Sequence, residues 1–189
     1  MKKIIEVTFL TGNKDKLQSA REVFKHYPIK LLNQKIEIPE IQSLDVEKVA
    51  RYSVKYAINI LKKNIIKVDC GYYFEAFNGF PGALVKYFEK SFSSEDILKL
   101  IEGKSRNVVV RECLAYASPE GEIKTFLSET KATIAYQPEG IGGSIDKLII
   151  YPGFSKPQAA CKYSEIVNYW NKTLTHYKNL AEFLTKKVS

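Results

Sequence analysis

Two incompatible periodicities alternate through the first half of the chain, and this limits its fold more than any other feature. Ile4 to Leu10 is apolar and β-branched, which predicts a buried strand. After Thr11-Gly12-Asn13 the apolar residues fall at Leu17, Ala20, Val23, Phe24 and Tyr27. That spacing predicts an amphipathic helix, stopped before Pro28. Lys30 to Leu32 and Lys35 to Ile38 read as short extended pieces. Val46, Val49, Ala50, Ser53, Val54, Ala57, Ile58 and Leu61 form one long helical stripe. Asn64 to Val68 is a second buried strand, ending in a turn at Asp69-Cys70-Gly71. Strands therefore alternate with helices through this half of the chain.

The middle of the chain changes style. Residues 77 to 83 read as a loop, Lys86 to Lys90 as helical, and Ser93-Ser94-Glu95-Asp96 as a helix start running to Gly103. Asn107 to Tyr116 and Ile123 to Leu127 flank Ser118-Pro119-Glu120-Gly121 as a hairpin. Thr130 to Tyr136 reads as a further strand, Gly140 to Ser144 as a flexible loop, and Leu148 to Tyr151 as a short strand. Tyr163 to Leu184 reads as one long closing helix. The sum is a mixed α/β fold. No repeat, low-complexity tract or linker divides residues 1–189, so the expectation is a single domain.

Composition narrows the function classes. With 45% hydrophobic residues the chain has material for a core. Its 29 basic and 21 acidic residues give a net charge of +8, which favours anionic partners such as nucleotides, nucleic acid or a membrane surface. A lysine-rich solvated surface accounts for the same charge. Cys70, Cys113 and Cys161 form no C-x-x-C pair, which argues against a disulfide framework or zinc site and for a reducing compartment. The apolar stretch after Met1-Lys2-Lys3 is too short for a signal peptide, and no stretch approaches a membrane span. The expectation is a cytoplasmic protein.

Four polar constellations carry possible chemistry, each with a plainer reading beside it. Thr11-Gly12-Asn13-Lys14-Asp15-Lys16 lies at a strand-to-helix corner, where unpaired N–H groups and the helix dipole favour anions. The same corner is equally a turn capped by Asn13 or Asp15. Glu40, after Pro39, is a candidate ligand for a hard cation such as Mg²⁺, or a solvated glutamate. Asp69, at the end of a strand, is a candidate metal ligand or general base, or a turn-capping acid beside Gly71. Asn78-Gly79-Phe80-Pro81-Gly82-Ala83 is a shaped loop, and Lys86 beyond it is a candidate partner for a second phosphate.

Taken together and in order, these stretches resemble the Ham1 family of inosine/xanthosine triphosphate pyrophosphatases. That family reads T-G-N-x-x-K, then P-E, then E-D-[ST]-G, then N/G-G-x-P-G, and later G-F-G-Y-D-P and K-N-x-x-S-H-R. The resemblance implies an α/β fold with an elongated, twisted mixed sheet, flanking helices and two lobes around a central cleft. It implies Mg²⁺-dependent hydrolysis of non-canonical purine nucleoside triphosphates to monophosphate and pyrophosphate, and a homodimer. Carried over, Thr11, Gly12, Asn13 and Lys16 hold the triphosphate, Glu40 and Asp69 hold Mg²⁺, Asp69 orients or deprotonates water, and Lys86 neutralises phosphate.

The departures lie elsewhere. Val68 stands where the family has the first acid of its Glu-Asp pair, leaving Glu37 or Glu75 as candidate compensation. Cys70 replaces Ser or Thr. Gly142-Gly143-Ser144-Ile145-Asp146-Lys147 keeps the aspartate as Asp146 but neither aromatic. The Ser-His-Arg segment aligns with Trp170-Asn171-Lys172, which makes Lys172 a candidate base contact. His26 and His176 read as surface or packing residues. The expectation is a pyrophosphatase with altered or relaxed base choice. A nucleotide-binding homologue with little catalysis is the alternative. A nucleic-acid-binding protein is a third reading, disfavoured by scattered lysines.

Overall fold

The computed structural model describes residues 4–187. Its sheet has seven strands: β1 (Ile5–Leu10), β2 (Ile29–Gln34), β3 (Ile65–Phe74), β4 (Pro81–Gly82), β5 (Asn107–Ala117), β6 (Ile123–Ile134) and β7 (Ile149–Ile150). Their order is β2-β1-β3-β5-β6-β7, with β4 beside β3. β1 pairs in parallel with β2 and β3, and the remaining pairings are antiparallel. The helices are α1 (Lys14–Phe24), α2 (Val46–Leu61), α3 (Val85–Ser91), α4 (Ser94–Leu100), α5 (Tyr163–Thr173) and α6 (His176–Lys186). The mixed α/β expectation is met. None of these helices is long and apolar enough to cross a membrane. The three cysteines are free. Met1, Lys2 and Lys3 lie outside the described residues.

Strand alternation sends the apolar side chains to both faces of the sheet. On one face Val7, Phe9, Ile66, Val68, Leu114 and Tyr116 meet Ala20 and Phe24 of α1 and Tyr177, Leu180 and Leu184 of α6. On the other, Ile65, Cys113, Ala115 and Ala117 meet the stripe of α2. A third core forms at the far end of the long strands. There Phe74, Val108, Val110 and Ala132 close on Phe88 of α3, Ile97 of α4 and the Ile145–Tyr151 segment. Each fully buried aliphatic or aromatic side chain contributes about 1.5–3 kcal/mol, so the α1/α6 core and the far core are separate sources of cohesion along β3 and β5.

The decisive feature is a fork in the sheet. β3 pairs with β1 only at Ile65 and Ile66, and with β4 only at Tyr72 and Tyr73. Between them, residues 67–71 have a ladder partner on the β5 side alone. The backbone groups of the bare edge must find other partners. Close approach closes the fork beyond Asp69: a Cβ on Gly71 would stand 2.7 Å from the Gly82 carbonyl carbon, and one on Gly82 2.2 Å from the Leu44 oxygen. Both positions therefore need glycine.

Four expectations are corrected. Asp69-Cys70-Gly71 is not a turn but mid-strand, because the β5 ladder continues through it to Phe74. Ile123 to Leu127 and Thr130 to Tyr136 are not two strands. They form one, β6, and its polar Ser128-Glu129 step stays paired with Arg111-Glu112. Lys35 to Ile38 forms no strand. The single closing helix is two. α5 ends at Leu174, whose ψ of 97° is not helical, and the Ser128 hydroxyl accepts the N–H groups of Thr175 (3.0 Å) and His176 (3.1 Å). This hydroxyl restarts the chain as α6 from a different element, a cap that no local sequence signal announces.

Candidate active site

The fork opens into a cleft of about 540 Å³ lined by Thr11, Gly12, Asn13, Lys16, Glu40, Asp69 and Lys86, with Lys67, Val68 and Cys70 as its floor. Groups from both faces of β3 reach it. Lys67 and Asp69 come from the α2 face, and Cys70 from the α1/α6 face.

The corner after β1 is both a capped turn and a wall of the cleft. Asn13 caps α1, its Oδ1 accepting from Asp15 N (2.8 Å) and Lys16 N (3.1 Å), while Thr11 Oγ1 accepts from Asn13 N (3.0 Å). Asn33 of β2 braces the corner by donating to the carbonyls of Phe9 (3.1 Å) and Thr11 (3.0 Å). The capping carbonyl of Asn13 is thus occupied, which leaves its amide protons as the donors that face solvent. Lys16 Nζ donates to the Val68 carbonyl at 3.3 Å, so a bare-edge carbonyl of the fork holds the ammonium beside Asp69.

Asp69 is the most perturbed carboxyl of the cleft. Burial pushes its pKa up to about 6, against the downward pull of Lys16 and Lys67, and Glu40 adds to the rise. Its Oδ2 is buried without a hydrogen-bond partner. Lys67, absent from the sequence-level candidates, is held below its ordinary value by burial and by Lys16, with Asp69 and Glu40 opposing. The signal for Lys67 was present: it shares strand parity with Asp69, two residues away. The cleft therefore concentrates three ammonium groups, Lys16, Lys67 and Lys86, around two carboxylates.

Those two carboxylates set what cation the cleft can hold. Among the described residues no group of three or more His, Cys, Asp or Glu forms a metal cage. An unpartnered buried carboxylate oxygen on Asp69, with Glu40 close enough to raise its pKa, is instead the donor set of a hard cation that takes its remaining ligands from phosphate and water. Glu75 does not join this set. It is bound by Ser105 (2.8 Å) and Asn107 (2.8 Å), and lines another cavity. Glu37 is not among the lining residues either. Val68 points into the α1/α6 core.

The remaining candidates lie apart. Asp146 sits half-buried on the Gly140–Lys147 loop, accepting from Gly143 N (3.3 Å) and Gln158 Nε2 (2.9 Å), its pKa raised by burial. It does not line the cleft but is near enough to act on Cys70, which does. Lys172 is exposed on α5 and lines two other cavities, with Lys25 and His26 on one side and Phe154 and Glu165 on the other. The structure does not bring it to the cleft.

Behind Cys70 lies a polar seam that sequence reading missed. Glu112 of β5 is the direct cross-strand neighbour of Cys70, and Ser128 of β6 that of Glu112. His176 is fully buried against them, with Nδ1 3.0 Å from Ser128 Oγ. Burial lowers the His176 pKa to about 3, so the ring is neutral.

A sequence profile of the Ham1 family matches residues 7–175. A dITP/XTP pyrophosphatase of Methanopyrus kandleri is 32% identical over 93% of this chain and 97% of its own. An inosine triphosphate pyrophosphatase of Candida glabrata is 34% identical over 68% of this chain and 71% of its own. Among solved structures, a HAM1 protein of Coxiella burnetii superposes with a TM-score of 0.77 at 18% identity, covering 96% of this chain and 99% of that one. The Ham1 protein of Staphylococcus aureus gives 0.75 at 21% identity over the same shares.

Proposed function

Because the chain belongs to the Ham1 family, we propose that it hydrolyses non-canonical purine nucleoside triphosphates to the monophosphate and pyrophosphate, as a single domain and with Mg²⁺. The observation that carries this reading is the buried Asp69 carboxylate, one oxygen of which has no hydrogen-bond partner, set among Lys16, Lys67 and Lys86. Phosphoryl transfer needs positioning and neutralisation of charge more than covalent chemistry, and that is what the cleft offers.

Family membership implies a divalent metal. Glu40 and Asp69 are the residues that would hold it, and Mg²⁺ suits two carboxylates completed by phosphate and water oxygens. When bound, such a cation polarises the phosphoryl group and neutralises its growing charge. The chain's own residues do the rest. Thr11, Gly12 and the Asn13 amide receive the outer phosphates at the corner after β1. Lys16, fixed on the Val68 carbonyl, orients them, and Lys67 and Lys86 balance the remaining charge. Asp69 orients the water that attacks the α-phosphorus or accepts its proton. The bond from that phosphorus to the bridging oxygen breaks, and pyrophosphate leaves.

The family's Ser-His-Arg segment fits Thr175-His176-Tyr177 better than Trp170-Asn171-Lys172. The first of these begins α6 in the seam behind the cleft, whereas Lys172 faces away. In that register the histidine is kept, threonine stands for serine, and the arginine is lost. Tyr177 takes its place, its ring in the core and its hydroxyl donating to the Lys16 carbonyl at 3.2 Å. We place the protein in the cytoplasm as a homodimer, on the family resemblance.

The test is a panel of triphosphates (ITP, XTP, dUTP and the four canonical ribonucleotides) with Mg²⁺, following pyrophosphate release. ITP and XTP are expected to lead. Turnover no higher than that of Asp69→Asn would sink the reading, and tight binding without turnover would favour a nucleotide-binding protein.

A further inference from the structure

The three ammonium groups of the cleft are held in different ways. Lys16 donates to the Val68 carbonyl, and Lys86 is exposed on α3, where water hydrates it. Lys67 is half-buried on the floor and, among the described residues, has neither a hydrogen bond nor an ion pair. It rises from the bare-edged span of β3, and Lys16, Asp69 and Glu40 are close enough to act on its charge. Val49 and Ser53, the α2 residues that line the cleft, offer it no negative charge. A half-buried ammonium with three donors and no acceptor is costly in the free protein. An anion placed against it removes that cost.

The next residue on the strand adds to this. Where the family pair has its first acid, Val68 faces the α1/α6 core. The cleft is left with two carboxylates, Glu40 and Asp69, against three ammonium groups, so its lining is net positive before any cation enters. A partly enclosed positive surface draws polyanions by itself. Two carboxylates without such groups would repel a triphosphate until a divalent cation came between them. Lys67 puts a fixed positive charge beside those same two carboxylates.

We propose that Lys67 makes capture of the triphosphate independent of the divalent cation. In the metal-free protein its ammonium, together with Lys16 and Lys86, donates to phosphate oxygens. The cation is then needed for turnover and not for binding. This rests on the placement of phosphates in the cleft made by the pyrophosphatase reading above. The group recognised is the polyphosphate chain, so inorganic tripolyphosphate is a sufficient probe.

The experiment is isothermal titration calorimetry of tripolyphosphate and ITP at one ionic strength, in Mg²⁺ and in EDTA. It compares wild type, Lys67→Met, Lys67→Gln and Lys67→Arg, with melting temperatures alongside. Wild type is expected to bind tripolyphosphate in EDTA with a Kd within about tenfold of that in Mg²⁺. Lys67→Met and Lys67→Gln are expected to weaken metal-free binding about tenfold to a hundredfold. With Mg²⁺ the same variants lose less than about fivefold. Lys67→Arg, which keeps the charge, stays near wild type. A merely structural role would weaken binding alike in both conditions and lower the melting temperature. Absence of metal-free binding by wild type overturns the proposal. So does an equal loss with and without Mg²⁺ in a folded Lys67→Met or Lys67→Gln. Hydrolysis of ITP is read separately. No turnover with Mg²⁺ sinks the pyrophosphatase reading, whereas the tripolyphosphate titrations still decide Lys67.

Discussion

The corner after β1 and the polar seam behind the cleft are built by opposite strategies. The corner at Thr11, Asn13 and Lys16 is one continuous stretch, a strand running into a helix, whose geometry follows from local rules: a cap at Asn13, a brace at Asn33, and an ammonium hung on a backbone carbonyl. The seam at Glu112 and His176 is assembled from β5 and the start of α6, and a hydroxyl on β6 holds its centre. The first is a segment and the second a junction. A segment keeps its motif as the rest of the chain changes, whereas a junction can be rebuilt one residue at a time.

That contrast can be broken by mutation. The largest effect is expected between the two regions. Asp69→Asn should lower kcat about 10²–10⁴-fold in steady-state assays. It should also raise stability. Burial raises the folded pKa of Asp69 to about 6, so the native state holds this proton more tightly than the unfolded chain does. The resulting stabilisation is present below the unfolded value and lost as pH rises through about 6. The amide escapes that loss, worth at most about 3 kcal/mol above pH 6, readable by denaturant titration. Lys16→Met is expected next, raising KM for every triphosphate alike by about tenfold to a hundredfold. A change that depended on the base would blur the distinction between the regions.

A smaller effect tests the junction alone. His176 has its folded pKa lowered to about 3 by burial, so the unfolded state binds more protons between its ordinary value and about 3. Stability should therefore fall as pH drops through that window, by up to about 1.4 kcal/mol per pH unit. Asp69 acts in the opposite sense below pH 6, so the slope should be steepest in the Asp69→Asn background and flatten in His176→Asn. Acid-limb denaturation curves of the three proteins would show it. The smallest effect is expected for Lys172→Ala: less than twofold on kcat/KM for any nucleotide, because the side chain is exposed on another surface.

The sequence revealed what is periodic and contiguous. β1, α1 and α2 are legible because cap, stripe and breaker lie within one window, and the bounds of α2 match its stripe. Asp69 lines the cleft, but on a mid-strand backbone rather than the expected turn. Asp-Cys-Gly reads as a turn, yet here glycine serves close approach to Gly82, which only the folded chain reveals. The break between α5 and α6 escaped notice because Ser128 causes it from 47 residues away. A run read as one helix gives no sign of the buried His176 that opens α6. Glu112 escaped because an acid among Val110, Arg111, Cys113 and Leu114 reads as a solvent-facing position in a strand. The second core on its far side is what encloses it.

The fork has a mechanical consequence. β3 behaves as a beam clamped on both edges near its ends and on one edge only over residues 67–71. Bending between the two halves of the molecule concentrates in the weakest span, and Asp69 stands at the middle of it. Any motion that widens or narrows the cleft must tilt this acid relative to Lys16. Admission of a ligand and alignment of the acid are thus one movement of one strand.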